Sequence, residues 1–150
     1  MIAAHVVTGP LPELGSDDGR RDDGSELIFH GRVRAEEHGR PIVALEYEHY
    51  PEMAEAQLRR VAEETAARFP IRDLFCWHRV GRIGVGEASL RVVIWSCHRA
   101  EGLEAMTFFV RRLKREVPIW KWAVTADGER FPSVCSEEEE GEPHRHHNHE

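Results

Sequence analysis

Leu113-Lys114-Arg115-Glu116-Val117-Pro118-Ile119-Trp120-Lys121-Trp122 is the stretch that decides how the chain is read. Proline cannot continue a helix interior, and it pushes the residue before it towards an extended backbone. The stretch therefore predicts a helix that stops near Val117 and a strand that begins after Pro118. Lys114 falls in the last helical turn and Lys121 on the strand, seven positions on. The turn between them brings the two ammonium groups back towards one place. Cations held close together and partly shielded from water disfavour each other's charge, which is how a lysine becomes a base or nucleophile near neutral pH. The same residues also read as a lysine that complements the negative end of a helix dipole, followed by a solvated strand lysine. Taken alone, they favour that plainer reading.

Upstream of this stretch, Leu103, Met106, Val110, Leu113 and Val117 recur at helical spacing and predict a helix from about Arg99 to Val117. Downstream, Ala126-Asp127-Gly128-Glu129 is a hairpin signal that returns Arg130–Val134 against Ile119–Thr125. On that strand Lys121 shares a face with Ile119 and Ala123, while Trp120, Trp122 and Val124 take the other. The clearest helix runs from Pro51 to Phe69, with Ala54, Leu58, Val61, Ala62, Thr65 and Phe69 in one stripe. Strands are expected at 2–8, 27–33, 42–50, 71–80 and 89–96. Gly31 inside the second of these suggests a bulge. The glycines of Gly81-Arg82-Ile83-Gly84-Val85-Gly86 match neither GxGxxG nor GxxxxGK[ST], and read as a turn between strands. Residues 15–25, rich in Gly, Ser and Asp, read as an exposed loop. The elements sum to an α+β fold, two main helices packed on largely antiparallel strands.

A length of 150 residues predicts one domain, long enough to bury a core without disulfide or metal staples. Apolar residues make up 41% of the chain, which excludes general disorder, and no apolar run is long enough to span a bilayer. The start of the chain lacks the pattern of a signal peptide. Three cysteines, an odd number without a CxxC pair, suit a reducing cytoplasmic setting. The net charge of −7 is unevenly placed. Six glutamates against one arginine leave residues 136–150 at −5, and the remaining 19 basic and 21 acidic groups leave residues 1–135 at −2. That near balance gives no footprint for nucleic acid. Residues 136–150 are low in complexity and expected to form a disordered acidic tail beyond a domain over 1–135. The tail's His144, His146, His147 and His149 form a weak metal-binding candidate whose spacing fixes no geometry.

Several stretches taken together resemble one family, the large catalytic subunit of molybdopterin synthase (the MoaE family). They are Phe29-His30-Gly31-Arg32-Val33-Arg34, Leu45-Glu46-Tyr47-Glu48-His49-Tyr50 and His78-Arg79-Val80-Gly81 with Gly84-Val85-Gly86-Glu87. Met53-Ala54, Ser96-Cys97-His98-Arg99 before Glu104-Ala105, Leu113-Lys114 followed by Pro118-Ile119-Trp120-Lys121, and Asp127-Gly128 complete the set, which spans about residues 27 to 131. Each piece is weak alone; their order and spacing are specific. The resemblance implies the family's α/β hammerhead fold and a sulfurtransferase subunit of molybdenum cofactor biosynthesis, with no cofactor of its own. In that family, sulfur moves from the C-terminal thiocarboxylate of a small ubiquitin-like subunit to cyclic pyranopterin monophosphate, forming the molybdopterin dithiolene. The implied assembly is a homodimer within a heterotetramer. The resemblance makes Lys114 and Lys121 the catalytic lysines, and Arg34, His98 and Arg99 an anion-binding set, with His98 and Arg99 reaching across the dimer. It reverses the plainer reading of the lysine pair. Arginine suits such a site because its guanidinium grips oxyanions in pairs of hydrogen bonds.

The chain departs from the family at three places. Trp122 and Ala123 stand where a second basic residue and a glutamate are usual, the ordered C-terminal segment is short, and the loop at 15–25 is brief. No catalytic role is carried to His78-Arg79, and Cys97 beside His98 is read as inert, since strand neighbours point to opposite faces. The rival reading is a non-catalytic paralogue or scaffold that binds a ubiquitin-like partner and carries metal on its histidine-rich tail. Retention of both lysines favours the enzyme.

Overall fold

Every second residue of a long strand is apolar on one side, and that alternation organises the molecule. A computed structural model describes residues 1–14 and 19–133. It contains β1 (Ile2–Thr8), β2 (Ser25–Arg32), β3 (Glu36–Glu37), β4 (Arg40–Pro41), β5 (Ala44–His49), α1 (Met53–Arg68), β6 (Ile71–Gly84), β7 (Ala88–Ser96), α2 (Arg99–Glu116), β8 (Ile119–Val124) and β9 (Arg130–Ser133). Seven strands form one sheet in the order β2-β7-β6-β5-β8-β9, with β1 also beside β6; β3 and β4 make a separate hairpin. All pairings are antiparallel except β1 with β6. The expected α+β class is observed.

Leu74 and Cys76 of β6, and Leu90, Val92 and Ile94 of β7, turn one face of the sheet towards both helices. α1 buries Ala54, Leu58, Val61, Ala62 and Thr65 there, the face its periodicity predicts. α2 corrects its prediction. Its buried residues are Gly102, Ala105, Phe109 and Leu113, while Leu103 is 53% exposed. The contact face is rotated because Gly102 and Ala105, small enough for close approach, carry little hydrophobic signal. A Cβ added at Gly102 would stand 2.8 Å from Ser96 Oγ.

β6 also corrects the expected turn at Gly81. The strand continues through it to Gly84. Val80 is the last residue opposite β1, and Gly81 the first opposite β5. Gly81 has φ 90°, so it supplies a left-handed step where the strand changes partners. Beyond this point a second apolar cluster forms from Val33, Ile42, Leu45, Ile83 and Ala123, with Tyr47 and Phe131 against it. The bulge expected at Gly31 is present as a register shift between Gly31 and Arg32. The hairpin of β8 and β9 turns at Gly128, φ 89°. α1 starts at Met53 rather than Pro51. Glu52 sits at φ 67°, ψ −52°, with Met53 N–H donating to the Pro51 carbonyl at 2.7 Å, the geometry of a γ-turn.

Candidate active site

Pro118 ends α2 and sends the chain directly into β8, so the last turn of the helix and the first half of the strand face each other. A cleft of about 310 Å³ lies there, between the two apolar clusters. Lys114 and Lys121 both line it, from the helix and the strand respectively, and both are half-buried. The strand register sets Lys121 between Tyr47 of β5 and Ser133 of β9. Leu90, Leu113, Val117 and Ile119 supply apolar walls. Arg32 also lines the cleft, and donates from its guanidinium to the Gly86 carbonyl at 2.9 Å. Among the described residues that line the cleft there is no carboxylate. Three cations in a partly apolar hollow make it a receptor for anions.

His78 forms part of the floor. It continues the Leu74, Cys76 alternation, so it points to the helix side of β6, where the core opens into the cleft. Its Nδ1 is 2.8 Å from the Arg79 carbonyl, and its ring stands edge-on to Tyr47 with centroids 5.4 Å apart. Burial pushes the imidazole down to about 4, against the carbonyl contact that favours its charged form, and the charges of Lys121, His49 and Lys114 lower it further. His78 is thus neutral at pH 7 and feels both lysines. The Tyr47 hydroxyl donates to Ser89 Oγ at 3.3 Å, and Ser89 Oγ donates to the Gly31 carbonyl at 3.3 Å, tying the cleft's walls together.

The remaining candidates lie elsewhere in the protomer. Arg34 is exposed and sits 3.6 Å from Glu37, whose carboxylate also accepts from Ser133 Oγ at 2.9 Å. His98 and Arg99 are exposed at the start of α2, with the His98 carbonyl held by Ser96 Oγ at 2.7 Å. Cys97 lies past the end of β7, so strand alternation does not separate it from its neighbour. Its Sγ is 3.7 Å from His98 Nε2. Cys76 is wholly buried, and burial pushes its thiol up, away from thiolate chemistry. Trp122 faces away from the lysines. Its indole donates to Glu48, and the Arg130 guanidinium lies 4.8 Å from its ring. Ala123 is fully buried in the second apolar cluster. Trp120 lines the cleft against Tyr50, with ring centroids 5.1 Å apart. His144, His146, His147 and His149 lie outside the described residues; among the described ones no group of His, Cys, Asp or Glu is gathered to hold a metal. Among them, too, no helix is long and apolar enough to cross a membrane.

Sequence reasoning missed His78, Tyr47 and Arg32 as cleft residues. For His78 the signal was there, since an alternating apolar series that ends in a histidine places that side chain on the same face as the core.

Two helices on a largely antiparallel sheet, in this arrangement, are the fold of solved molybdopterin synthase structures. A solved molybdopterin synthase chain from Staphylococcus aureus superposes with a TM-score of 0.76 at 26% identity, over 87% of this chain and 97% of that one. The molybdopterin synthase catalytic subunit of Pyrococcus abyssi is 44% identical over 106 residues, covering 71% of this chain and 72% of that protein. The Escherichia coli catalytic subunit is 32% identical over 136 residues, 87% of this chain and 91% of its own length. Residues 12–116 match the model of the MoaE protein family. The chain belongs to the MoaE family, and is an enzyme subunit of molybdenum cofactor biosynthesis.

Proposed function

We propose that the cleft between α2 and β8 is where sulfur passes from the C-terminal thiocarboxylate of a small ubiquitin-like subunit to cyclic pyranopterin monophosphate. The observation that carries this reading is that Lys114 and Lys121, from different elements, line one cleft with no carboxylate among its described lining residues. Donor and acceptor are both anionic, a thiocarboxylate and a phosphate ester, and each needs a cation where it docks. The thiocarboxylate sulfur bonds to a carbon of the acceptor and displaces an oxygen there. Water or a lysine amine then adds to the acyl carbon of the resulting thioester. The acyl C–S bond breaks with the sulfur left on the acceptor, and a lysine ammonium already in place stabilises the negative charge that grows on the acyl oxygen. The second lysine then moves a proton or forms a transient bond to the acyl carbon. The two roles are interchangeable between Lys114 and Lys121 on present geometry.

Arg34, His98 and Arg99 complete the anion site in a homodimer, His98 and Arg99 being supplied by the other copy. Their exposure on one protomer accords with that role. The pair of dimerised large subunits with a small subunit at each end is the assembly this requires. The replacement at Trp122-Ala123 leaves the cleft intact, because Trp122 binds Glu48 and Arg130 outside it and Ala123 packs into the second core.

A single-turnover assay tests the reading. The chain is mixed with a thiocarboxylated small subunit and cyclic pyranopterin monophosphate, and the dithiolene product is followed by mass spectrometry. Lys114→Ala and Lys121→Ala should each lower product formation by on the order of 100-fold or more, as loss of a transition-state charge partner does, while the complex still forms. Unchanged turnover in either variant removes that lysine from the mechanism. A wild-type complex that forms but yields no product makes the chain a binding subunit.

A further inference from the structure

His78 carries a ring nitrogen whose chemistry the sulfur-transfer reading leaves unused. Nδ1 lies 2.8 Å from the Arg79 carbonyl, a group that only accepts, so Nδ1 bears the proton. The other nitrogen, Nε2, is then a lone-pair acceptor. No side chain or backbone group among the described residues hydrogen-bonds to it. His78 is 6% exposed and lines the same cleft as Lys114 and Lys121. The titratable and charged groups that bear on it are Lys121 of β8, Lys114 of α2 and His49 of β5; Tyr47 packs edge-on against it. Among the described residues lining this carboxylate-free cleft, Nε2 is an uncharged acceptor that can orient an ammonium without neutralising it.

We propose that His78 is a positioning residue for the transfer reaction, an acceptor of fixed tautomer whose Nε2 aims a lysine ammonium of the cleft at the reacting carbonyl. The proposal rests on the sulfur-transfer reading. The backbone carbonyl of Arg79 fixes the tautomer, and β6 fixes the ring's place. Tyr47, tied through Ser89 to Gly31, fixes its tilt. Protonation of His78 would convert the acceptor into a fourth cation of the cleft and drive the lysine away, and burial keeps the ring neutral at working pH.

The test compares the pH dependence of single-turnover transfer in wild type, His78→Leu and His78→Gln, with complex formation and melting temperature measured for each. A hydrogen bond from an ammonium to Nε2 favours the charged lysine, so its loss should move the lysine-governed limb of the rate profile to lower pH by about one unit. His78→Leu should show that displacement, a fall in kcat of on the order of 10-fold or more and little change in KM. His78→Gln, whose amide oxygen replaces Nε2, should restore the wild-type profile. A purely structural histidine would lower the melting temperature of both variants without moving the limb, and that result overturns the proposal. If the leucine variant does not fold, a glutamine variant with a displaced limb overturns it equally. Ring nitrogen NMR on the wild-type protein provides a check that needs no variant: a proton on Nε2 at neutral pH refutes it. Failure of the wild type to form product would instead sink the sulfur-transfer reading, so the two failures are told apart.

Discussion

Replacing Gly102 by alanine sets two opposed effects against each other. Glycine in a helix interior costs about 1 kcal/mol relative to alanine, so the exchange alone should stabilise α2. The site opposes it. An added Cβ would lie 2.8 Å from Ser96 Oγ and 3.1 Å from Leu27 Cδ1. Leu27 is the end of a flexible side chain and can yield. Ser96 is fully buried, and its hydroxyl donates to the His98 carbonyl at 2.7 Å. To make room, either that hydrogen bond breaks or α2 lifts off β7. Overpacking of this kind costs about 1–3 kcal/mol, so the net change should lie between neutral and a loss of about 2 kcal/mol. For a domain of this size that is a fall of up to roughly 6 °C in melting temperature. The double mutant is decisive. In a Ser96→Ala background the obstructing oxygen is gone, and Gly102→Ala should become neutral or stabilising, with a coupling of about 1–3 kcal/mol. Thermal and urea denaturation of the four proteins measures it. An equal loss in both backgrounds would refute the account of this contact. The matter bears on function, since Ser96 anchors the turn that presents His98 and Arg99.

Other perturbations should be as readable. His78 is neutral in the folded chain, with its pKa depressed from the usual 6.5 to about 4. Its contribution to stability is therefore whole above pH 6.5 and is lost as pH falls towards 4, by roughly 3 kcal/mol in all. Urea midpoints between pH 7 and pH 4 should show that slope in wild type and lack it in His78→Leu. Glu52 holds a positive φ that costs a non-glycine residue on the order of 1 kcal/mol or more. Glu52→Gly should raise the melting temperature; a lowered one would mean the turn is unstrained. Removing residues 136–150 should leave single-turnover sulfur transfer intact, and a collapse of activity would assign the tail a part in the reaction.

What the sequence made legible, and what it hid, follows from how far apart the deciding residues lie. Pro118 stops a helix and starts a strand by local sterics alone, so α2, β8 and the convergence of Lys114 and Lys121 could be read from ten adjacent residues. The stripe of α1 was legible for the same reason, being one face of one helix. The face of α2 was not, because it is set by what α2 packs against. Gly102 and Ala105 are buried as the places where backbone meets β2 and β7, a property that no hydrophobicity pattern records. The course of β6 through Gly81 was hidden likewise: a left-handed glycine marks a turn in isolation, and becomes a mid-strand step only when β1 ends and β5 begins beside it. The site divides along the same line. The lysines are close in sequence, so their convergence was legible from spacing, while their assignment to a site came from the family resemblance. His78 comes from β6, Tyr47 from β5 and Arg32 from β2, and only the sheet order brings them to the lysines. Arg32 and Arg34 show how fine the distinction is. They are two residues apart on the quoted motif, yet the bulge after Gly31 leaves Arg32 on the cleft and Arg34 beside Glu37. A motif names the residue types that a reaction needs; register decides which of them reach the cleft.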